Sequence, residues 1–245
     1  MTLSTERTVG DLAAEAIHRT RVFETFGIDY CCGGKTPLAD ASRTAGCDPA
    51  EVVASLEAAD REAAADPDTT DWRTASLTDL TRHIVDTHHA FMKSELPRVA
   101  GLLAKVQSAH GERRPHLQEL GRVFSGLRTE IEAHLLKEEQ VLFPLIQEME
   151  TTSQAGTAHC GSVNNPIGVM EHEHENAGAA LARMRELTDG YVMPADGCAT
   201  FWALYDGLAT IERDLHEHIH KENNILHPRA SELERSLSAT AREEA

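Results

Sequence analysis

Glu138 and Glu222 each occupy a position on an apolar helical stripe, four residues after a histidine. Leu117, Leu120, Phe124, Leu127, Ile131, His134, Glu138, Leu142 and Leu145 follow the three-and-four spacing of one helix face. A second stripe runs Phe201, Leu204, Leu208, Ile211, Leu215, His218, Glu222 and Ile225. In each, only the histidine and the glutamate are ionisable. A carboxylate buried without a partner costs several kcal/mol, so two of them on core faces call for a buried cation.

The second stripe is the first displaced by 84 residues: His134, Glu138, Leu142 and Pro144 fall on His218, Glu222, Leu226 and Pro228. An 85-residue shift places Val85, His89, Leu96 and Val99 on Met170, His174, Leu181 and Met184. The repeat predicts two helical hairpins, neither able to bury its stripe alone, packed as an up-down four-helix bundle. Its helices are expected over about 76–109, 113–148, 166–190 and 196–232. Ser76-x-x-Asp79 and Asp196 are the expected caps of the first and fourth.

On this bundle the candidate ligands are His89, His134, Glu138, His174, His218 and Glu222. Residues i and i+4 share a helix face about 5–6 Å apart, so a His-x-x-x-Glu pair can meet on one ion. A lone histidine on an apolar face is more often a hydrogen-bonded core residue, but here four recur with two carboxylates. His172 lies about 200° round the helix from His174 and is expected to point elsewhere. His88 is a weaker rival of His89, because Ile84, His88 and Phe91 also form a short apolar row. His18, His110, His116, His159, His216 and His220 are read as surface residues or as neighbours of the ligands.

Four imidazoles and two carboxylates are too many for one tetrahedral zinc and too rich in nitrogen for magnesium or calcium. Two ions bridged by both glutamates, each with two terminal histidines, use the whole set. Iron suits this mixture best and manganese next, with an oxo or hydroxo bridge completing the pair. Open positions in an apolar pocket favour dioxygen or nitric oxide as small ligands.

Ahead of the bundle, residues 1–64 read as a small helical domain. Thr8-x-x-Asp11 starts a helix that ends near Gly27, and Asp48-Pro49-x-Glu51 starts another. Between them lies Cys31-Cys32-Gly33-Gly34. Residues 65–75 read as a linker and 233–245 as a flexible tail.

A formal charge of −17 with no basic stripe excludes nucleic acid and disfavours anionic membranes. No apolar leader and no stretch of about eighteen apolar residues is visible. Five cysteines form no spaced disulfide framework. A cytoplasmic protein with reduced thiols is the expectation.

The segments HLLKEEQVLFPLI, VMEHEHENAG and HIHKENNILHPRA resemble the hemerythrin-like domain of the iron-sulfur cluster repair proteins, the repair of iron centres (ScdA/YtfE) family. TVGDLAAEAIHRTRVFETFGIDYCCGGKTPLADA resembles that family's short ScdA-like N-terminal domain. The resemblance covers about residues 8–232. It implies a non-haem di-iron homodimer of the nitrosative and oxidative stress response that repairs damaged iron-sulfur proteins by supplying iron. It carries the family's ligand pattern onto the same six residues. The chain departs from the family at His227, at Lys35 and in a longer 150–165 loop; none of these removes a ligand.

Two other function classes compete. One is reduction of nitric oxide or peroxide at the di-iron site; the other is an oxygen or nitric oxide sensor or carrier. No catalytic residue is assigned. Cys31 and Cys32 are candidate redox or iron-transfer thiols, against the plainer reading of a tight turn. Cys47, Cys160 and Cys198 are expected to be ordinary thiols.

Overall fold

The computed structural model describes residues 3–63, 70–152 and 161–243. These residues are helical, with no strand among them and one isolated bridge between Thr8 and Pro37. His159, Cys160 and positions 65–69 of the expected linker lie outside the described residues.

The short helices come first: α1 (Val9–Glu15), a 3-10 turn (Ile17–Arg19), α2 (Thr20–Phe26), α3 (Leu38–Ala45) and α4 (Pro49–Ala63). Their starts are local chemistry. The Thr8 hydroxyl accepts from the Asp11 N–H at 3.1 Å, and Asp48 Oδ1 accepts from the Ala50 N–H at 2.9 Å. The single helix expected from Thr8 to Gly27 is interrupted at Ala16, whose backbone is extended. It stops as expected at Gly27, which takes the left-handed conformation at φ 67°.

Four long helical runs follow. α5 (Leu77–His83) continues through a π segment (Ile84–His89) into α6 (Ala90–His110). α7 (His116–Lys137) continues through a π segment (Glu138–Leu142) into α8 (Phe143–Thr152). α9 (Asn164–Leu187) has no such interruption. α10 (Ala199–Lys221) continues through a π segment (Glu222–Leu226) into α11 (His227–Glu243). The 84-residue repeat therefore extends to the backbone, since the second and third π segments are related by that shift. Ser76 Oγ accepts from the Asp79 N–H at 2.9 Å, as its sequence suggested. Asp196 does not cap the fourth run; its carboxylate pairs with Arg114. α11 carries 233–243 of the segment expected as a tail, where Ala, Arg and Glu are strong helix formers.

The chain divides into two compact units. The described parts of 82–145 and 158–215 form one, a four-helix arrangement. Its core takes in the predicted stripes, with Leu96 and Val99; Leu120, Phe124 and Leu127; Met170, Leu181 and Met184; and Phe201, Leu204 and Leu208 all buried, joined by Met92 and Ala177. Val85 departs from its stripe and is only half-buried, because the π segment rotates the register of the first run.

The other unit gathers the described parts of 1–81, 146–157 and 216–245. Val9, Leu12, Phe23, Tyr30, Leu38, Val52 and Leu56 are buried in it. Arg19 ties α4 to the 3-10 turn, donating to Asp60 at 2.8 and 2.7 Å. Arg229 on α11 donates to the carbonyls of Trp72 and Ala75.

Candidate metal centre

Each π segment lies at a predicted ligand. His89 closes the first, Glu138 opens the second and Glu222 opens the third. π turns of this kind concentrate at functional positions, because the extra residue re-aims side chains that a regular helix would hold elsewhere. All six predicted ligands are buried, and Glu138 and Glu222 are both 0% exposed.

In the four-helix unit the imidazoles converge on Glu138. His134 Nε2 lies 3.3 Å from Glu138 Oε1, and His89 Nε2 lies 3.3 Å from Oε2. His134 Nε2 and His174 Nε2 stand 3.1 Å apart. In the other unit His218 Nε2 lies 2.8 Å from Glu222 Oε1. Two overlapping buried groups result, His89–Glu138–His218–Glu222 and His134–Glu138–His174–Glu222, each with its ligand atoms within 4.8 Å of one another. They share both carboxylates.

The outer face of two histidines fixes their proton. His89 Nδ1 lies 2.8 Å from Glu139 Oε1, which also accepts from Lys93 at 2.6 Å. His134 Nδ1 lies 2.9 Å from Glu173 Oε2, and Glu173 also accepts from Lys137. Partial burial works to raise both glutamates, but the lysine and the histidine outweigh it and hold each carboxyl below its ordinary value. An ionised carboxylate only accepts, so Nδ1 carries the proton and Nε2 presents a lone pair. Those lone pairs point at the oxygens of Glu138. Each Nε2 and the Glu138 oxygen 3.3 Å from it are a nitrogen and an oxygen donor close enough to share one cation, so the donor set fits a metal pair.

The rival and neighbouring histidines separate clearly. His88 is buried but turns to Asp214, with Nδ1 2.9 Å from Oδ1. His172 is exposed, beside Glu175. His18 pairs with Asp60, and His110 Nε2 lies 3.5 Å from the Cys198 thiol. His227 is buried. His220, read from sequence as a surface residue or ligand neighbour, is fully buried against the Tyr30 ring, and burial pushes it down to about 4.

Glu139, Glu173 and Asn224 escaped the sequence reading. A faint signal existed for the glutamates, since a lysine follows His89 by four residues and His134 by three. Asn224 sits in the same π segment as Glu222. Its Nδ2 donates to the carbonyls of Tyr30 at 3.3 Å and Cys31 at 3.1 Å. The bare Cα atoms of Gly10 and Gly34 admit this amide; a Cβ there would lie 2.4 and 2.2 Å from Asn224 Oδ1. The double-cysteine loop is thereby fastened to the turn that carries Glu222.

Two known domain families match successive parts of the chain. The hemerythrin HHE cation binding domain matches residues 80–230, and the ScdA N-terminal domain, described as of unknown function, matches residues 5–60. The chain is 37% identical to the iron-sulfur cluster repair protein YtfE of Musicola paradisiaca over 225 residues, covering 92% of this chain and 96% of that one. The proteins of the same name from Edwardsiella ictaluri and Escherichia coli O157:H7 are 37% and 33% identical, with the same coverage.

Proposed function

We propose that this chain, which belongs to the YtfE family of iron-sulfur cluster repair proteins, holds two iron ions and supplies iron to damaged clusters. In this reading His89 and His218 would hold one ion and His134 and His174 the other, with Glu138 and Glu222 available to both. The observation that carries it is the pair of donor groups overlapping at two fully buried carboxylates. The two oxygens of Glu138 facing different histidines support a bridging role.

Bound iron supplies Lewis-acid positions at which dioxygen or nitric oxide can bind. The chain's own residues do the rest. Glu139 and Glu173 keep the Nδ1 protons of His89 and His134 in place, so neither imidazole loses affinity by tautomerising. Phe143, buried and stacked on the His89 ring at 5.6 Å between centroids, excludes water from that side. Clients with damaged iron-sulfur clusters, a stress-induced context and a homodimer belong to the same reading.

The test uses an enzyme whose iron-sulfur cluster has been destroyed by nitric oxide. The iron-loaded protein should restore its activity, whereas a Glu138→Gln/Glu222→Gln variant exposed to the same iron should not. Equal recovery with both proteins would rule out this centre as the iron source.

A further inference from the structure

The loop between α2 and α3 holds a second convergence of ligand atoms, of different chemistry. Asp29 Oδ1 accepts from the N–H groups of Cys31 and Cys32, both at 3.0 Å, and from the Cys31 thiol at 3.3 Å. The sulfurs of Cys31 and Cys32 lie 3.9 Å apart. One ligand atom from each of the three residues lies within 4.8 Å of the others.

The sulfur spacing is informative. A disulfide needs about 2.0 Å between sulfurs. Two thiolates on one tetrahedral ion, at about 2.3 Å each, stand about 3.8 Å apart. The observed 3.9 Å is too long for a disulfide and matches what one tetrahedral ion would need, a distance that plain contact between two thiols also gives, so it is the carboxylate converging with them that points to an ion.

The surrounding residues keep that arrangement in place. Gly33 leaves room for the acid, since a Cβ there would lie 2.9 Å from the Asp29 carbonyl and 3.1 Å from Oδ2. Tyr30 anchors the loop, its buried ring stacked on Phe23 and set edge-on to His220. Asn224 grips the Tyr30 and Cys31 carbonyls from the other side. The two glycines after the cysteines thus have separate steric causes: Gly33 admits Asp29 and Gly34 admits Asn224.

We propose that Cys31, Cys32 and Asp29 form a thiolate–carboxylate site for one thiophilic divalent ion, such as zinc or ferrous iron, separate from the histidine–glutamate centre. Binding forms two metal–sulfur bonds and one metal–oxygen bond, and it releases the two thiol protons to solvent with no change of oxidation state. Ligation needs the thiolate form, so the ion takes the place of both thiol protons. Three protein ligands leave a fourth position open for exchange. Soft sulfur donors distinguish this site from the imidazole–carboxylate set.

Cobalt(II) is the probe, because thiolate-to-cobalt charge transfer in the near ultraviolet reports sulfur ligation alone and is silent to cobalt on histidine or glutamate. Titration of the full-length, reduced protein, carrying no more than two equivalents of iron so that none is left over for the thiols, should give a band that saturates at one equivalent of cobalt and is displaced by zinc. Cys32→Ser should abolish the band. Asp29→Asn should weaken cobalt binding at least about tenfold. The asparagine oxygen still accepts from the two N–H groups, so circular dichroism should show an intact fold. Cys198→Ser should leave the band unchanged. The proposal is overturned by absence of the band in the parent protein, by its survival in Cys32→Ser, or by equal cobalt affinity in Asp29→Asn.

Discussion

Replacing Glu139 by glutamine isolates what an outer carboxylate contributes to the centre. Its Oε1 accepts from His89 Nδ1 at 2.8 Å and from Lys93 at 2.6 Å, and its side chain is 25% exposed. A glutamine oxygen can still accept from the imidazole, but the bond loses its charge. Charge-assisted hydrogen bonds are roughly twice as strong as neutral ones, a difference of about 1–1.5 kcal/mol. Partial exposure screens some of this, which places the loss near the lower end of the 10–100-fold range typical of ligand-orienting residues. Glu139→Gln should therefore weaken one of the two metal equivalents about tenfold, or about 1.4 kcal/mol. Glu139→Leu should approach 100-fold, since Nδ1 then lacks its acceptor. Competition against a chelator of known affinity, read separately for the first and second equivalents, measures this. Glu173→Gln should act in the same way through His134, and because His89 and His134 both face Glu138 the double variant should depart from additivity by about 0.5 kcal/mol or more. Unchanged affinity for both equivalents in Glu139→Gln would show that the Nδ1 contact does not orient a ligand.

Three further outcomes follow from the geometry. Gly34→Ala puts a Cβ 2.2 Å from Asn224 Oδ1 and should cost about 1–3 kcal/mol in thermal unfolding, with much of the loss absent when Asn224→Ala clears the space; equal costs in both backgrounds would count against the clash. The Arg19 hydrogen bond holds Asp60 below its usual 3.8, and the Arg7 hydrogen bond holds Glu15 below its usual 4.5. A depressed folded-state carboxyl stabilises fully above the unfolded value and loses that contribution as pH falls through the lower folded one, so Asp60→Asn should flatten the acid-unfolding profile below about pH 4. Cys198 is exposed, and its hydrogen bond with His110 brings the thiol down to about 7; its alkylation rate should rise through that pH, and His110→Ala should move the midpoint towards the ordinary thiol value of about 8.5.

Much of the centre was legible in the sequence because helix periodicity is a local property. Leu117 to Leu145 and Phe201 to Ile225 declare a face, and a histidine four residues before a glutamate on that face needs no tertiary information to be noticed. The caps at Thr8, Asp48 and Ser76 are local for the same reason. The expected Asp196 cap failed because a distant Arg114 claims the carboxylate. Adjacent His88 and His89 were separated only weakly by spacing; the tertiary structure separates them by giving His88 a partner 126 residues away in Asp214. The π segments re-aim Val85 and its neighbours through one extra residue per turn, a backbone choice that hydrophobic spacing does not encode. Glu139, Glu173 and Asn224 act on groups 50, 39 and 193 residues away. The sequence alone determined which side chains share a helix face, because that depends on a period of a few residues. Only the packed helices decided which proton each imidazole keeps and what grips the double-cysteine loop, because those contacts join positions whose separation along the chain carries no signal.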